Sequence, residues 1–390
     1  MFNQIVTMFY KYFPIYKRMQ KSILNPIVTF FKKQSSSTDK DIKKSIRILF
    51  IIKERNIYGT KSVSYGLVNS CEFVANVLRE NNIEVKVIQV IDNNDIDREV
   101  FNYKPTHCFI EALWVVPEKF KELSKLHPNV NWYVRLHSMI PFLATEGISF
   151  QWLNEYMDLR KQGIKISIAC NNKQVYDELS DLYKYVIYTP NMYKLNDEYF
   201  VNINAKSDID AITGKNILNV GSFGALRILK NHVQQAIWAI NVANEIGKTL
   251  YFHINVTEHE TGEGIPLLKN LKSLFQNTRH KLVEHGWMPH DDFLQLVKQM
   301  DFGMQLSFTE TYCIVAADFV YCGIPIIVSE EINFINKKST VNISYPDEVN
   351  KSMYLCLNNS EIAKLNKQNL QLLNKSNEDA KREWLTFLNK

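Results

Sequence analysis

Short apolar runs recur along the chain, each followed by a polar turn and then, in several cases, an amphipathic stretch. Such runs read as strands of a parallel sheet, whose two covered faces make alternation unnecessary. The first is Ile46 to Ile52, followed by a helix over about Ser64 to Glu80 and a strand from Val85 to Ile91. His107 to Ala112, Trp132 to Leu136, Ile164 to Ala169 and Val186 to Tyr188 continue the series. A second series opens with the strand Asn216 to Val220 and passes through strand Leu250 to Asn255 and helices Leu267 to Asn277 and Asp291 to Met300. It closes on strand Phe302 to Leu306, a helix, and strand Pro325 to Val328. The pattern predicts an α/β protein with two Rossmann-like parallel-sheet domains.

The length, 390 residues, suits two such domains. We place the first at 45–195 and the second at 215–360, with an irregular polar hinge over 192–214 and terminal helices over 361–390. Trp384 and Phe387 are the candidate anchors of those helices. Six scattered cysteines form no Cys-x-x-Cys pair and no metal spacing with histidine, which suits a reducing cytoplasm. No apolar run reaches the ~20 residues needed to span a bilayer, and no secretory signal core is visible.

Charge changes the picture at one end. Residues 1–44 hold nine Lys or Arg against two Asp, so they carry +7 where the whole chain carries +5. The remainder is therefore close to neutral, which argues against a chain-wide nucleic-acid surface. Residues 1–33 interleave Phe and Tyr with Lys and Arg and contain no acid. This basic aromatic arm reads most simply as an interfacial membrane helix, at the inner face of a membrane in an otherwise cytoplasmic protein. A helix packed on its own domain and a partner-binding or disordered arm are the other readings. A Ser-rich linker, residues 34–44, follows it.

Two stretches carry the candidate chemistry. Asp301 to Ser329 reads as strand, polar turn, helix and strand, with Glu310 entering the helix and Asp318 about two turns further on. A helix mouth of this kind favours anions. Upstream, the strand Asn216 to Val220 runs into Gly221-Ser222-Phe223-Gly224 and then Arg227, Lys230 and His232. The glycines allow close backbone approach to a phosphate, Arg227 can bind a diphosphate bidentately, and Lys230 adds a point charge. This is neither the dinucleotide Gly-x-Gly-x-x-Gly pattern nor a P-loop.

Ser307, Glu310, Asp318, Gly323 and Pro325, with the Val220-Gly221 loop and Arg227 and Lys230 three apart, resemble the donor-site signatures of retaining GT-B glycosyltransferases. That group, family four-like, includes many bacterial polysaccharide-building enzymes. The chain departs from the pattern at Leu306 (usually Pro), Cys313 (usually Gly) and Asp318 (usually Glu). Over residues 46–330 the resemblance implies a GT-B fold, two domains facing a cleft. It implies transfer of a hexosyl or pentosyl group from a nucleotide-diphosphate sugar to an acceptor hydroxyl, with retention and without metal or cofactor. It implies catalytic places for Arg227, Lys230, Glu310 and His137, the last lying just past a strand near the transferred sugar. Gly221, Phe223, Gly224, Met288, Thr311, Tyr312, Cys313 and Asp318 would line the donor pocket, with Glu310 toward the sugar and Asp318 toward the ribose. Gly59, Lys61 and Ser62 would face the acceptor.

Three functional readings follow. The first is sugar transfer to a glycan or lipid-linked saccharide near a membrane. The second is the same chemistry on hydroxymethylated bases of DNA, since the loops Tyr58 to Gly66 and Arg135 to Gly147 more weakly resemble glycosyltransferases of tailed phages. The third is a non-catalytic sugar-nucleotide-binding or scaffold protein. Asp95-Ile96-Asp97 and Asp208-Ile209-Asp210 have the Asp-x-Asp form of metal-dependent transferases, a short and common pattern. We expect the arm to localise rather than catalyse. Deleting residues 1–40 should spare turnover of a small soluble acceptor while weakening vesicle or DNA binding, and a folded but inactive deletion would contradict this.

Overall fold

The computed structural model describes residues 46–57, 60–62, 65–195, 216–257 and 262–389. The basic arm, Gly59 and the Asp208 triplet lie outside the described residues. Two six-stranded parallel sheets are each flanked by helices. In the first half β1 (Arg47–Lys53) leads to α1 (Tyr65–Glu80), β2 (Glu84–Val90), α2 (Asp95–Tyr103) and β3 (His107–Glu111). Then come α3 (Pro117–Leu126), β4 (Asn131–Leu136), α4 (Ser149–Lys161), β5 (Ile166–Cys170), α5 (Lys173–Leu182) and β6 (Val186–Tyr188). The strand order is β2-β1-β3-β4-β5-β6. The apolar run predicted for β1 is buried on both faces, from Ile48 to Ile52. Pro117 starts α3, where its missing N–H costs nothing.

The second half contains β7 (Ile217–Gly221), α6 (His232–Glu245), β8 (Thr249–Asn255), α7 (Gly264–Phe275) and β9 (Lys281–His285). It continues through α8 (His290–Val297), β10 (Phe302–Gln305), α9 (Ile314–Tyr321), β11 (Ile326–Ser329), β12 (Thr340–Val341) and α10 (Pro346–Cys356). The order β9-β8-β7-β10-β11-β12 is that of a doubly wound sheet in which the winding direction reverses between β7 and β10. The long α11 (Asn359–Leu388) closes the chain. Leu370 and Leu373 of α11 join the core of the second half, whereas Ala380, Trp384 and Leu388 join that beneath the first sheet. Trp384 is fully buried, packs edge-on to Phe50, and donates its indole N–H to Pro190 O at 2.8 Å.

Two corrections concern the elements around the candidate site. The turn after β10 runs longer than the sequence suggests, so α9 begins only at Ile314 and Glu310 stands in the loop before it. Within the expected loop from Tyr58 to Gly66, residues Thr60–Ser62 instead form a short strand paired antiparallel with Arg55–Ile57.

The reversal point has a packing requirement of its own. Gly221 of β7 and Gly303 of β10 sit side by side, and the stacked rings of Phe223 and Phe319 (centroids 6.1 Å apart) cover both. A Cβ on Gly303 would lie 2.6 Å from the Phe319 ring, so the ring or the strand would have to shift. Gly303→Ala should cost about 1–3 kcal/mol in urea unfolding, typical of overpacking a core. Phe319→Leu in the same chain should recover part of that loss. An unchanged midpoint for Gly303→Ala would show that the glycine is not required for this packing.

Candidate functional site

A sheet of this order leaves a crevice beyond the carboxyl ends of the two strands at which its winding reverses. In the second half these are β7, ending at Gly221, and β10, ending at Gln305, so the loops 221–231 and 306–313 face one another. Several bonds fix them together. Phe308 N donates to Leu229 O at 2.8 Å, and Asn231 Nδ2 donates to Leu306 O at 3.2 Å. Asn231 occupies the left-handed region at φ 61°, which ends the single 3-10 turn Ile228–Lys230 and starts α6. Gln235 Nε2 holds Lys230 O at 2.7 Å.

This arrangement delivers the Lys230 ammonium onto the Glu310 carboxylate. Burial works to strip the Lys230 proton, but the attraction of Glu310 outweighs it and holds the ammonium charged above the ordinary lysine range. Arg227, from the same loop, lays its guanidinium 4.9 Å over the ring of Phe142 in the first half. The 306–313 loop adds hydroxyls. Ser307 Oγ, Thr309 Oγ1 and the Tyr312 hydroxyl are buried and have no hydrogen-bond partner.

The glycine loop is built differently from a simple phosphate cradle. Phe223 is a core residue, 0% exposed, so only its backbone is available to a ligand. Its carbonyl already accepts from Gln305 Nε2 at 3.0 Å, and Cys313 Sγ donates to Gln305 Oε1 at 3.4 Å. Gly221 is required by the Phe223 ring, 2.5 Å from where its Cβ would stand. Gly224 has φ +109°, the one loop position that demands glycine for its backbone, and its N–H donates to Asn255 Oδ1 at 3.0 Å. Met288 and Tyr312 are half-buried against the same core.

The first half brings a polar cluster to the cleft. His137, just past β4, sets Nε2 2.5 Å from Glu111 Oε2 at the end of β3. Arg135 is fully buried, donates to Glu111 Oε2 at 3.1 Å, and is otherwise held by Thr189 O and Asn191 Oδ1. Burial works to raise the Glu111 carboxyl, but Arg135 and His137 together bring it below the usual range. Burial lowers the His137 imidazole, an effect that Glu111 only partly offsets. Two consecutive asparagines then cross to the other half. Asn171 Nδ2 reaches His137 Nδ1 and Thr311 Oγ1, each at 3.3 Å, and Asn172 Nδ2 donates to Thr311 O at 3.0 Å. Asn172 Oδ1 meanwhile caps α5, accepting from Gln174 N and Val175 N.

Asp318 lies in the second turn of α9, 1% exposed, and its Oδ1 accepts from the Tyr193 hydroxyl and from His290 Nε2, each at 2.7 Å. Asn377 of α11 grips both the N–H and the C=O of Tyr193, and Phe73 of α1 packs on the His290 ring. Glu111, Arg135, the two asparagines, Tyr193 and His290 were not among the expected site residues. Glu111 did carry a signal, as a lone acid ending an otherwise apolar run.

Lys61 and Ser62 fall in the second strand of the short hairpin after β1, at the reversal point of the first sheet, between β1 and β3. The Asp95 triplet opens α2. Asp95 Oδ2 accepts from Ile91 N and Asp92 N, while Asp97 bonds His127 at 2.7 Å. Among the described residues no cluster of three His, Cys, Asp or Glu is placed to hold a metal ion. Neither of two surface grooves, of about 450 and 420 Å³, is lined by any candidate residue.

No protein-family model and no curated protein sequence matches the chain. Solved structures do resemble it. A UDP-forming trehalose-phosphate synthase from Burkholderia xenovorans superposes with TM-score 0.60 at 10% identity, over 88% of this chain and 99% of that one. Anabaena HepE, solved in complex with UDP and glucose, gives 0.57 at 12% identity over 88% and 100%. The N-terminal domain of Candida albicans trehalose-6-phosphate phosphatase gives 0.61 at 12% identity over 90% and 97%. At these identities the likeness establishes the fold, and that fold is GT-B.

The Asp318–His290 contact predicts a pH dependence of stability. Burial works to lower His290, but the Asp318 carboxylate outweighs it, so the folded value stands above the ordinary value of 6.5. The stabilisation is therefore complete below the unfolded-state value and is lost as pH rises through the folded one. Thermal denaturation should show Tm falling from pH 6 toward alkaline pH, and His290→Gln should flatten that slope. Equal slopes in the two proteins would contradict the assignment.

Proposed function

We propose that the chain transfers a sugar from a nucleotide-diphosphate sugar to an acceptor hydroxyl, with retention and without a divalent metal. The carrying observation is the Lys230 ammonium, kept charged by Glu310 at the winding reversal of the second sheet, with Arg227 on the same loop. The HepE complex with UDP and glucose gives the reading independent support from the same fold.

In this reading the bond between the sugar C1 and the β-phosphate oxygen breaks, and its electron pair stays on that oxygen. Lys230 and Arg227 stabilise the growing charge, which is the largest kind of contribution that fixed charges make in a dry site. The acceptor oxygen bonds to C1 on the same face and gives its proton to the departing phosphate. Lys230 has three donors, so Glu310 can hold it while two remain for the diphosphate. Glu310 also accepts from sugar hydroxyls, beside the buried hydroxyls of Ser307 and Thr309. Tyr193 and His290 both use Oδ1 of Asp318, which leaves Oδ2 for the ribose. Ile228 and Phe308 are both exposed, and Phe308 is bonded to Leu229, between Ile228 and Lys230, so apolar surface beside Lys230 suits a glycan or lipid-linked acceptor.

The test is hydrolysis of a panel of nucleotide sugars in the presence of EDTA. At least one should turn over, with Lys230→Ala lowering kcat/KM about 10²–10³-fold, as for loss of a transition-state donor. Glu310→Gln should lower kcat while leaving nucleoside diphosphate affinity nearly intact, and calorimetry of Asp318→Ala should show weakened nucleotide binding. Turnover that requires a divalent ion, or full activity in Lys230→Ala, would overturn the proposal.

A further inference from the structure

The imidazole of His137 is held at both nitrogens, and the two partners differ in kind. Nε2 faces Glu111 Oε2 at 2.5 Å, and Nδ1 faces the Asn171 amide at 3.3 Å. An ionised carboxylate only accepts, so the proton of a neutral ring must sit on Nε2. Glu111 is 0% exposed and bonded to the equally buried Arg135, which holds it in the ionised form. Nδ1 is then an acceptor, and the amide must present its NH₂ to it. The other hydrogen of that NH₂ meets Thr311 Oγ1 at 3.3 Å, and the Thr311 hydroxyl donates back to His137 O at 3.3 Å. The four-residue chain thus ties a ring of the first half to the loop that carries Glu310.

We propose that Glu111 is the positioning residue of the site: it fixes His137 as the Nε2–H tautomer, so that Nδ1 accepts a hydroxyl of the transferred sugar. The role of the sugar rests on the transfer reading above; the tautomer does not. The incoming hydroxyl replaces the long Asn171 contact, and Asn171 keeps its bond to Thr311. Glu111 and Arg135 are the charged groups facing the ring from the strands, while Glu310, next to Thr311 on the loop, is paired with Lys230. Protonating His137 puts a hydrogen on Nδ1, so the ring can no longer accept from the sugar hydroxyl and, in the free site, opposes the Asn171 NH₂ donor to donor. Turnover should therefore fall on an acid limb below the ordinary histidine range, because burial lowers this ring.

The experiment is long-range ¹H–¹⁵N NMR of the full chain labelled at histidine nitrogen, with the His137 signal assigned by its loss in His137→Gln. At pH 7 the wild type should show a neutral Nε2–H ring. Glu111→Gln, whose amide can donate as well as accept, should populate both tautomers. It should also lower kcat about a hundredfold, as a misplaced group does, with little change in KM, and move the acid limb to lower pH. Asn171→Asp puts a second carboxylate at Nδ1 and should convert the ring to imidazolium at pH 7. An Nδ1–H ring or an imidazolium in the wild type would overturn the proposal, and so would an unchanged ring signal in Glu111→Gln. Should Glu111→Gln not fold, the wild-type spectrum and Asn171→Asp still decide. The ring signal needs no turnover, so a chain that shows the Nε2–H ring but hydrolyses no nucleotide sugar refutes the transfer reading alone.

Discussion

A half-buried ammonium is favoured by a counter-charge beside it, and the contact between Lys230 and Glu310 sets much of what surrounds it. Neither residue belongs to regular structure that could hold it alone: one ends a 3-10 turn, the other stands in an irregular loop. The loops must therefore be fixed by other means. Asn231 in a left-handed conformation, Gln235 bonding in three directions and the backbone bond from Phe308 to Leu229 supply that rigidity. Preorganisation of this kind is what a site needs if its charges are to act without rearranging during the reaction.

Two polar connections join the halves around this pair. The Glu111–His137–Asn171–Thr311 chain approaches from the first sheet and ends one residue from Glu310. The Tyr193–Asp318–His290 cluster is centred on Asp318 of α9, with Tyr193 locked by Asn377 of the terminal helix. Both place buried ionisable groups where the halves meet, and burial makes each intolerant of losing a partner. Coupling between the halves is thus built from specific hydrogen bonds rather than from an extended apolar interface alone.

Much of the fold was legible in the sequence because buried parallel strands write themselves as apolar runs, unbroken in β1 and interrupted only by the buried Arg135 in β4. β9, Lys281–His285, shows no such run, because its exposed charged residues and half-buried positions interrupt it. The start of α9 was misplaced because Ser307 and Thr309 look like caps, yet their hydroxyls face inward and Cys313 takes the cap position. Lys230 and Glu310 stood out through their resemblance to the donor-site signatures, and His137 through its place just past β4. Glu111 showed only as a lone acid ending an apolar run, and Asn171 and His290 gave no signal, since each is tied to a partner between 26 and 140 positions away. Phe223 shows the reverse case, a motif residue whose side chain serves the core.

In the proposed function, Lys230 and its loop receive a diphosphate. ³¹P NMR of a nucleoside diphosphate titrated with the protein in EDTA reads the phosphorus atoms themselves. The β-phosphorus signal should shift on binding, and the shift should disappear in Lys230→Ala. A signal that responds only when magnesium or manganese is added, or that responds equally in Lys230→Ala, would contradict that role.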